Sequence, residues 1–253
     1  NGALDLVDIP FAPRRPKKIA AGDTATVLLR SDGSLKLVGV LRDQEGQALA
    51  IDLSLENLPA AIIDVDVNAT HLCALGAGGQ VYCWGDNAFG QLGDGSVDAS
   101  TEPVIHADLK ATSIATGKRH TCVTLESGTM ACWGNNESQQ FIFGGPQQSL
   151  VPEFLTFFNL WLASVQAGDD YSCVVTPSGQ TMCAGKNDFG QCGTPPGAGI
   201  VAMNQGTTRS VSLKSDFSCA TGFDGAAYCW GRNDNMQLGG ATEQSSADQA
   251  IKL

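Results

Sequence analysis

The sequence predicts an all-β repeat protein assembled from small sheets, and three observations lead there. Turn glycines recur at Gly33, Gly79, Gly128, Gly179 and Gly225, in steps of 46, 49, 51 and 46 residues. Cysteines fall in four pairs ten residues apart: Cys73/Cys83, Cys122/Cys132, Cys173/Cys183 and Cys219/Cys229. Glycine supplies 30 of 253 residues and charged residues only 16%, against about 7% and about 25% in an average soluble protein. Many short strands joined by tight turns use glycine this way, whereas a helical bundle or a disordered tail does not. A period near fifty residues with several strands per unit points to a propeller or a solenoid.

The hairpins come first, because they fix the register of each unit. In HLCALGAGGQVYCWG (71–85) two short apolar runs flank Gly78-Gly79, and in HTCVTLESGTMACWG (120–134) they flank Ser127-Gly128. A symmetric turn sets the two cysteines of each pair opposite each other, about 4.5–5.5 Å apart at Cα, which a disulfide can span. Zinc knuckles bring their ligands two to four residues apart, so this spacing argues against metal. One cross-strand disulfide per hairpin is expected, with reduced thiols acting as small core residues as the other reading. Such bonds persist in oxidising places, so the chain is expected in an extracellular or lumenal space. It begins Asn1-Gly2-Ala3, as a processed mature form or a fragment would. Cys192 is unpaired. It replaces the leucine of Gln91-Leu92-Gly93 and Gln237-Leu238-Gly239, as a free core thiol would, with an intermolecular bridge as the alternative.

A second glycine follows each hairpin, at Gly39, Gly85, Gly134, Gly185 and Gly231, and the fullest copy of the unit runs from His71 to Gly93. Partial copies lie at Gly117–Asn136, Gly168–Gly193 and Phe217–Gly239. The pattern G-x-x-H-[ST]-x-[AC]-L-x-x-x-G-x-[VL]-[YL]-x-W-G-x-N-x-x-G-Q-L-G resembles the regulator of chromosome condensation repeat family. That resemblance covers about residues 18–253 and implies a β-propeller of about five four-stranded blades, after an N-terminal arm over 1–17. The hairpins at about 27–37, 73–83, 122–132, 173–183 and 219–229 mark the blades. The paired cysteines further resemble the extracellular branch of the family, as in crinkly-type receptor-kinase ectodomains. Departures stand out. The first copy has Val27 and Leu37 in place of cysteines and a degenerate tail, and the fourth has Ala184 where Trp84, Trp133 and Trp230 recur. The ending Gln249–Leu253 reads as an outer strand, so ring closure is expected to pair the two chain ends.

The repeat also explains away several residues that suggest chemistry. His71 and His120 share a slot that Tyr171 and Phe217 fill later, which suits packing and not catalysis. His106 has no ligand partner at metal spacing. Asn68 and Asn136 lie in glycosylation sequons, Asn68-Ala69-Thr70 and Asn136-Glu137-Ser138, yet Asn136 belongs to the W-G-x-N slot of Asn87, Asn187 and Asn233. Asn68 stands where Gly22, Gly117 and Gly168 stand elsewhere, and asparagine tolerates the conformations a turn glycine signals. Gly93-Asp94-Gly95-Ser96 lacks the further carboxylates of a calcium loop and reads as a turn. No phosphate-binding loop, nucleophile elbow or zincin motif occurs, so no catalytic residue, metal, cofactor or small-molecule substrate is expected.

Charge narrows the partners. Twenty-six acids against fifteen bases give −11 and a pI near 4.5, whereas gripping phosphate backbones needs a basic face. The basic cluster Arg14, Arg15, Lys17 and Lys18 reads as a solvated entry segment. No apolar run approaches the ~18 residues of a membrane span. What the repeat leaves over is an aromatic concentration at Phe141, Phe143, Phe154, Phe157, Phe158 and Trp161, a candidate partner contact if its rings are exposed. The expected function is a non-catalytic protein-interaction module, an accessory or scaffold subunit of a larger assembly such as a membrane-associated complex. A free secreted inhibitor or a receptor-type recognition propeller is the alternative. A carboxylate-based propeller enzyme ranks below both, and an exchange factor for a small GTPase fits the compartment poorly.

Overall fold

A computed structural model describes residues 16–51, 53, 58, 61–142, 144–156, 160–195, 201–203, 208–239 and 246–252. The first blade holds β1 (Pro16–Ala21), β2 (Ala25–Arg30) and β3 (Leu35–Gly39), followed by a separate small hairpin, β4 (Leu41–Arg42) and β5 (Ala48–Leu49). The second holds β6 (Ile62–Val67), β7 (His71–Gly76), β8 (Val81–Gly85) and β9 (Ser100–His106). The third holds β10 (Ala111–Thr116), β11 (His120–Leu125), β12 (Met130–Asn135) and β13 (Gln148–Leu155). The fourth holds β14 (Ser164–Ala167), β15 (Tyr171–Val175), β16 (Thr181–Gly185) and β17 (Val201–Met203). The fifth holds β18 (Thr208–Lys214), β19 (Phe217–Gly222), β20 (Ala227–Arg232) and β21 (Ser246–Lys252).

Each blade is an antiparallel meander, and the innermost strands β1, β6, β10, β14 and β18 line one central cavity of about 360 Å³. Four blades are four-stranded as expected, and the first has three strands among the described residues. The tail after Gly39 carries no W-G-x-N-x-x-G-Q-L-G loop to lead into an outer strand. Ile51, Leu53 and Leu58 pack against that blade's core without joining a ladder. Within the described residues β1 pairs with β2 and β21 with β20, each inside its own blade; the expected pairing of the two chain ends involves residues outside the described ones. The first strand begins at Pro16.

The cysteines of each pair face each other in register and are bonded: Cys73–Cys83, Cys122–Cys132, Cys173–Cys183 and Cys219–Cys229, with Cα separations of 4.1–4.2 Å. Cys192 is a buried free thiol, its pKa pushed up to about 12 by burial.

The turn glycines carry a second duty beyond the turn. Gly79, Gly128 and Gly179 have φ of 81°, 77° and 83°, a region that costs side-chain-bearing residues about 1–2 kcal/mol. Their carbonyls then accept from the next blade: Ala111 N–H to Gly79 O, Leu162 N–H to Gly128 O and Thr208 N–H to Gly179 O, each 2.8 Å. A Cβ on Gly79 would lie 2.7 Å from the Lys110 Cα of the next blade, whereas one on Gly225 would meet nothing within 4 Å. Gly225 has nearly the same φ, 81°, so the pair separates turn strain from blade packing. Gly225→Ala is expected to cost about 1–2 kcal/mol for the conformation alone. Gly79→Ala should cost about 1–3 kcal/mol more for backbone overpacking, read as the difference in urea-unfolding free energy. Equal losses would show that the turn glycine is not a blade joint.

Candidate protein-interaction surfaces

The blades are locked by a repeated polar contact. In the aromatic slot, His71 Nε2 lies 2.9 Å from Thr121 Oγ1, and His120 Nε2 lies 2.9 Å from Ser172 Oγ. Tyr171 donates to Phe217 O at 2.7 Å and lies 3.0 Å from Ser218 Oγ. Every slot thus reaches the first residues of the following blade's second strand. Where the following hydroxyl is absent, the slot is apolar: Ala25 precedes Leu72. Thr121 Oγ1 and Trp133 Nε1 both donate to the Gln91 carbonyl at 2.8 Å, and Ser218 Oγ and Trp230 Nε1 do the same to Gln191. With Thr121 giving its proton to Gln91, His71 must donate through Nε2, which fixes a neutral tautomer.

The W-G-x-N-x-x-G-Q-L-G loop is self-built for this purpose. The Asn87, Asn136, Asn187 and Asn233 side-chain carbonyls accept the N–H of Leu92, Phe141, Cys192 and Leu238 at 2.7–3.0 Å. Asn136 and Asn68 are both buried, with amides donating to Pro146 O and Thr116 O, so neither is placed to carry a glycan. Asp94 accepts from Ser96 N–H at 2.9 Å within its turn. His106 donates to Leu92 O at 2.7 Å and packs on Trp133 with ring centres 5.0 Å apart.

This geometry decides the family. Profiles of the regulator of chromosome condensation (RCC1) repeat match residues 78–124, and 62–91, 111–140 and 209–237. The chain is a β-propeller of RCC1 repeats. The ultraviolet-B receptor UVR8 of Arabidopsis thaliana is 28% identical over 204 residues, 76% of this chain and 46% of the receptor. Prp20p of Saccharomyces cerevisiae superposes with a TM-score of 0.83 at 20% identity, over 94% of this chain and 63% of Prp20p. The ectodomain of the Arabidopsis thaliana receptor kinase ACR4 gives 0.53 at 20% identity, over 88% and 66%. The chain therefore spans about half of the receptor and less than two thirds of Prp20p. RCC1-repeat propellers are interaction or regulatory modules.

The central cavity of this RCC1 propeller holds charges that already have partners. Lys18 bonds Asp64, and Lys214 reaches Asp23 at 3.3 Å, Ala21 O at 3.4 Å and Asn68 Oδ1 at 3.4 Å, tying the fifth blade to the first two. Asp66 is buried and accepts from Thr116 N–H at 2.7 Å and Thr116 Oγ1 at 3.1 Å. Burial pushes its pKa up, against the Thr116 bonds and the Lys18 charge that lower it. Among the described residues no group of three or more His, Cys, Asp or Glu is placed to hold a metal.

The aromatic segment divides. Phe141 is fully buried in the cluster joining the third and fourth blades and is not a contact residue. It takes the Leu92 position of its loop, its N–H bound to Asn136. Phe154 and Trp161 are exposed, 61% and 58%, with Trp161 lying over the Gly128 turn. Phe143, Phe157 and Phe158 lie outside the described residues.

Sequence reading also missed exposed apolar side chains outside that segment. Ile19 is 60% exposed, while its counterparts Val65, Ile114, Val165 and Val211 are at most 8% exposed. Those four pack on the preceding blade, and among the described residues Ile19 has no such cover. Ile105 and Phe154 occupy one repeat position on the outer strands, opposite Tyr82 and Ala131. The available signal was position within the repeat, read against burial.

The buried histidines make stability depend on pH. Burial lowers His71 and His120 to about 3, with His71 also opposed by His120. An unfolded histidine titrates near 6.5, so between that value and about 3 the unfolded state binds more protons. Stability is full above about 6.5 and falls with pH below it, by roughly 2 kcal/mol per histidine between pH 7 and 5. Asp66, with a raised pKa, works in the opposite direction. The urea midpoint is expected to drop across that range. His71→Tyr with His120→Tyr should flatten it, because Tyr171 shows that tyrosine fills the slot. A midpoint independent of pH would mean that these imidazoles are not held neutral.

Proposed function

We propose that this propeller is a non-catalytic binding subunit that holds a protein partner in an oxidising, extracellular or lumenal compartment, as an accessory or scaffold part of a larger assembly. The observation that carries this reading is the exposure of large apolar side chains, Phe154 and Trp161, on blades braced by disulfides and cross-blade hydrogen bonds. Exposed aromatic anchors on a rigid support lose little conformational entropy on binding. The four hairpin disulfides support the compartment, since they persist where thiols are oxidised. Family likeness supports the mode of action: a relative of the same fold, Prp20, has been crystallised with Kap60 bound.

Crosslinking native material under mild conditions, followed by peptide identification, tests this. Crosslinks from Lys110, beside the blade-three turn, to a stable set of other proteins are expected. Phe154→Ser with Trp161→Ser should remove them while leaving the fold intact, since both side chains are largely exposed. A lone 26.3 kDa monomer without crosslinks would contradict the reading.

A further inference from the structure

The negative charge of this chain is not spread evenly. Residues 43–185 hold sixteen Asp and Glu against three bases, Lys110, Lys118 and Arg119, a net of −13. The remaining residues hold ten acids and twelve bases, a net of +2. Two of the three bases already face other groups: Arg119 lies 4.6 Å over the Phe89 ring, and the Lys118 charge acts on the Asp169 carboxyl. The outer edges of the second and third blades therefore face solvent with acids and almost no cations.

An apolar strip crosses that acidic region at the seam between the two blades. The loop after β8 is tied to β13 by Gly95 N–H to Leu150 O at 2.8 Å, and a Cβ on Gly95 would lie 3.8 Å from Val151 Cγ1. Val97 and Val151, about half exposed, thus come from adjoining segments. Phe154 joins them on the same side. Its cross-strand partner Ala131 packs in the cluster shared with Leu92 of the second blade, while the next residue, Leu155, packs toward the fourth. Asp98, the chain neighbour of Val97, is exposed on the second-blade side of this strip, and β9 and β13 are the edge strands of their sheets.

We infer that this seam binds a lysine- or arginine-bearing protein segment that seats an apolar side chain among Val97, Val151 and Phe154, with a cation facing Asp98. The inference deepens the protein-binding reading and rests on it. Apolar contact alone would accept any exposed hydrophobe. An acid on the rim, in a region with almost no cations, selects a basic segment through on-rate and specificity. An extended segment suits the site because alternate side chains of a strand point to opposite faces, so one face can carry the anchors and the other can stay in water.

Fluorescein-labelled octapeptides alternating Leu/Lys, Leu/Glu and Ser/Lys, followed by anisotropy, test it. The Leu/Lys peptide should bind at least about tenfold more tightly than either control, since losing an anchor or a complementary charge costs about 1.4 kcal/mol or more. Phe154→Ser should weaken it about tenfold. Asp98→Asn should weaken it at about 50 mM salt and reduce the loss seen at about 300 mM. Phe223→Ser, which removes an exposed aromatic on the fifth blade, should change nothing. Equal binding of the Ser/Lys peptide would reduce the effect to charge alone and overturn the seam, as would loss with Phe223→Ser but not with Phe154→Ser. Failure of the peptides with native crosslinks intact would overturn the seam and leave the protein-binding reading standing.

Discussion

The structure depends on a backbone carbonyl shared across the joints between blades two and three and between blades four and five. Gln91 O and Gln191 O each accept two donors from the following blade, an indole N–H and a hydroxyl, and each hydroxyl is also met by the aromatic slot of the preceding blade. Buried donors and acceptors left unpaired cost about 1–3 kcal/mol each, so the three groups hold one another in place. A blade alone would expose its slot, its loop carbonyl and its apolar faces. Stability is thus mainly a property of neighbours. The exceptions agree. Trp84 Nε1 has no hydrogen-bond partner among the described residues, and the first blade has no Q-L-G loop to offer a carbonyl.

Much of this fold was legible because a repeat states its rules several times. Hairpin position, cysteine pairing and blade number followed from spacing, and His71 and His120 read as packing residues because Tyr171 and Phe217 share their slot. Less was legible where one copy departs from the rest. Ala184 lacks the indole of Trp133, and the structure shows Ile142 in place of Gly93, the residue on which that indole lies. Two changes conserve volume together, and neither explains itself alone. Phe141 misled for the same reason. An aromatic count marks Phe141–Trp161 as unusual, yet Phe141 occupies a core position of the loop, and nothing in a local count distinguishes it from Phe154. The outer-strand exposure of Ile105 and Phe154, and the concentration of charge in blades two to four, become visible once residues are placed by blade.

The same joints explain how the propeller can work as a binding module. Hydrogen bonds and disulfides fix the inner strands and hairpins, which leaves the outer strands and connecting loops as surface that can vary without unsettling the core. In the first and fifth blades the described packing is looser. Ile19 is bare, Gly225 meets nothing, and the Cys219 bridge is less enclosed than the other three. Interior blades therefore supply the rigid platform, and it is there that the acidic, apolar seam lies.

The most direct measurement of the shared contact is a double-mutant cycle between His71→Phe and Thr121→Val, across the joint built on Gln91 O, read as unfolding free energies at pH 7. The two side chains belong to successive blades and meet only at this bond, so a coupling of about 1 kcal/mol or more is expected. Losses that simply add would show that the slot is filled by packing alone and that the polar joint does not hold the blades together.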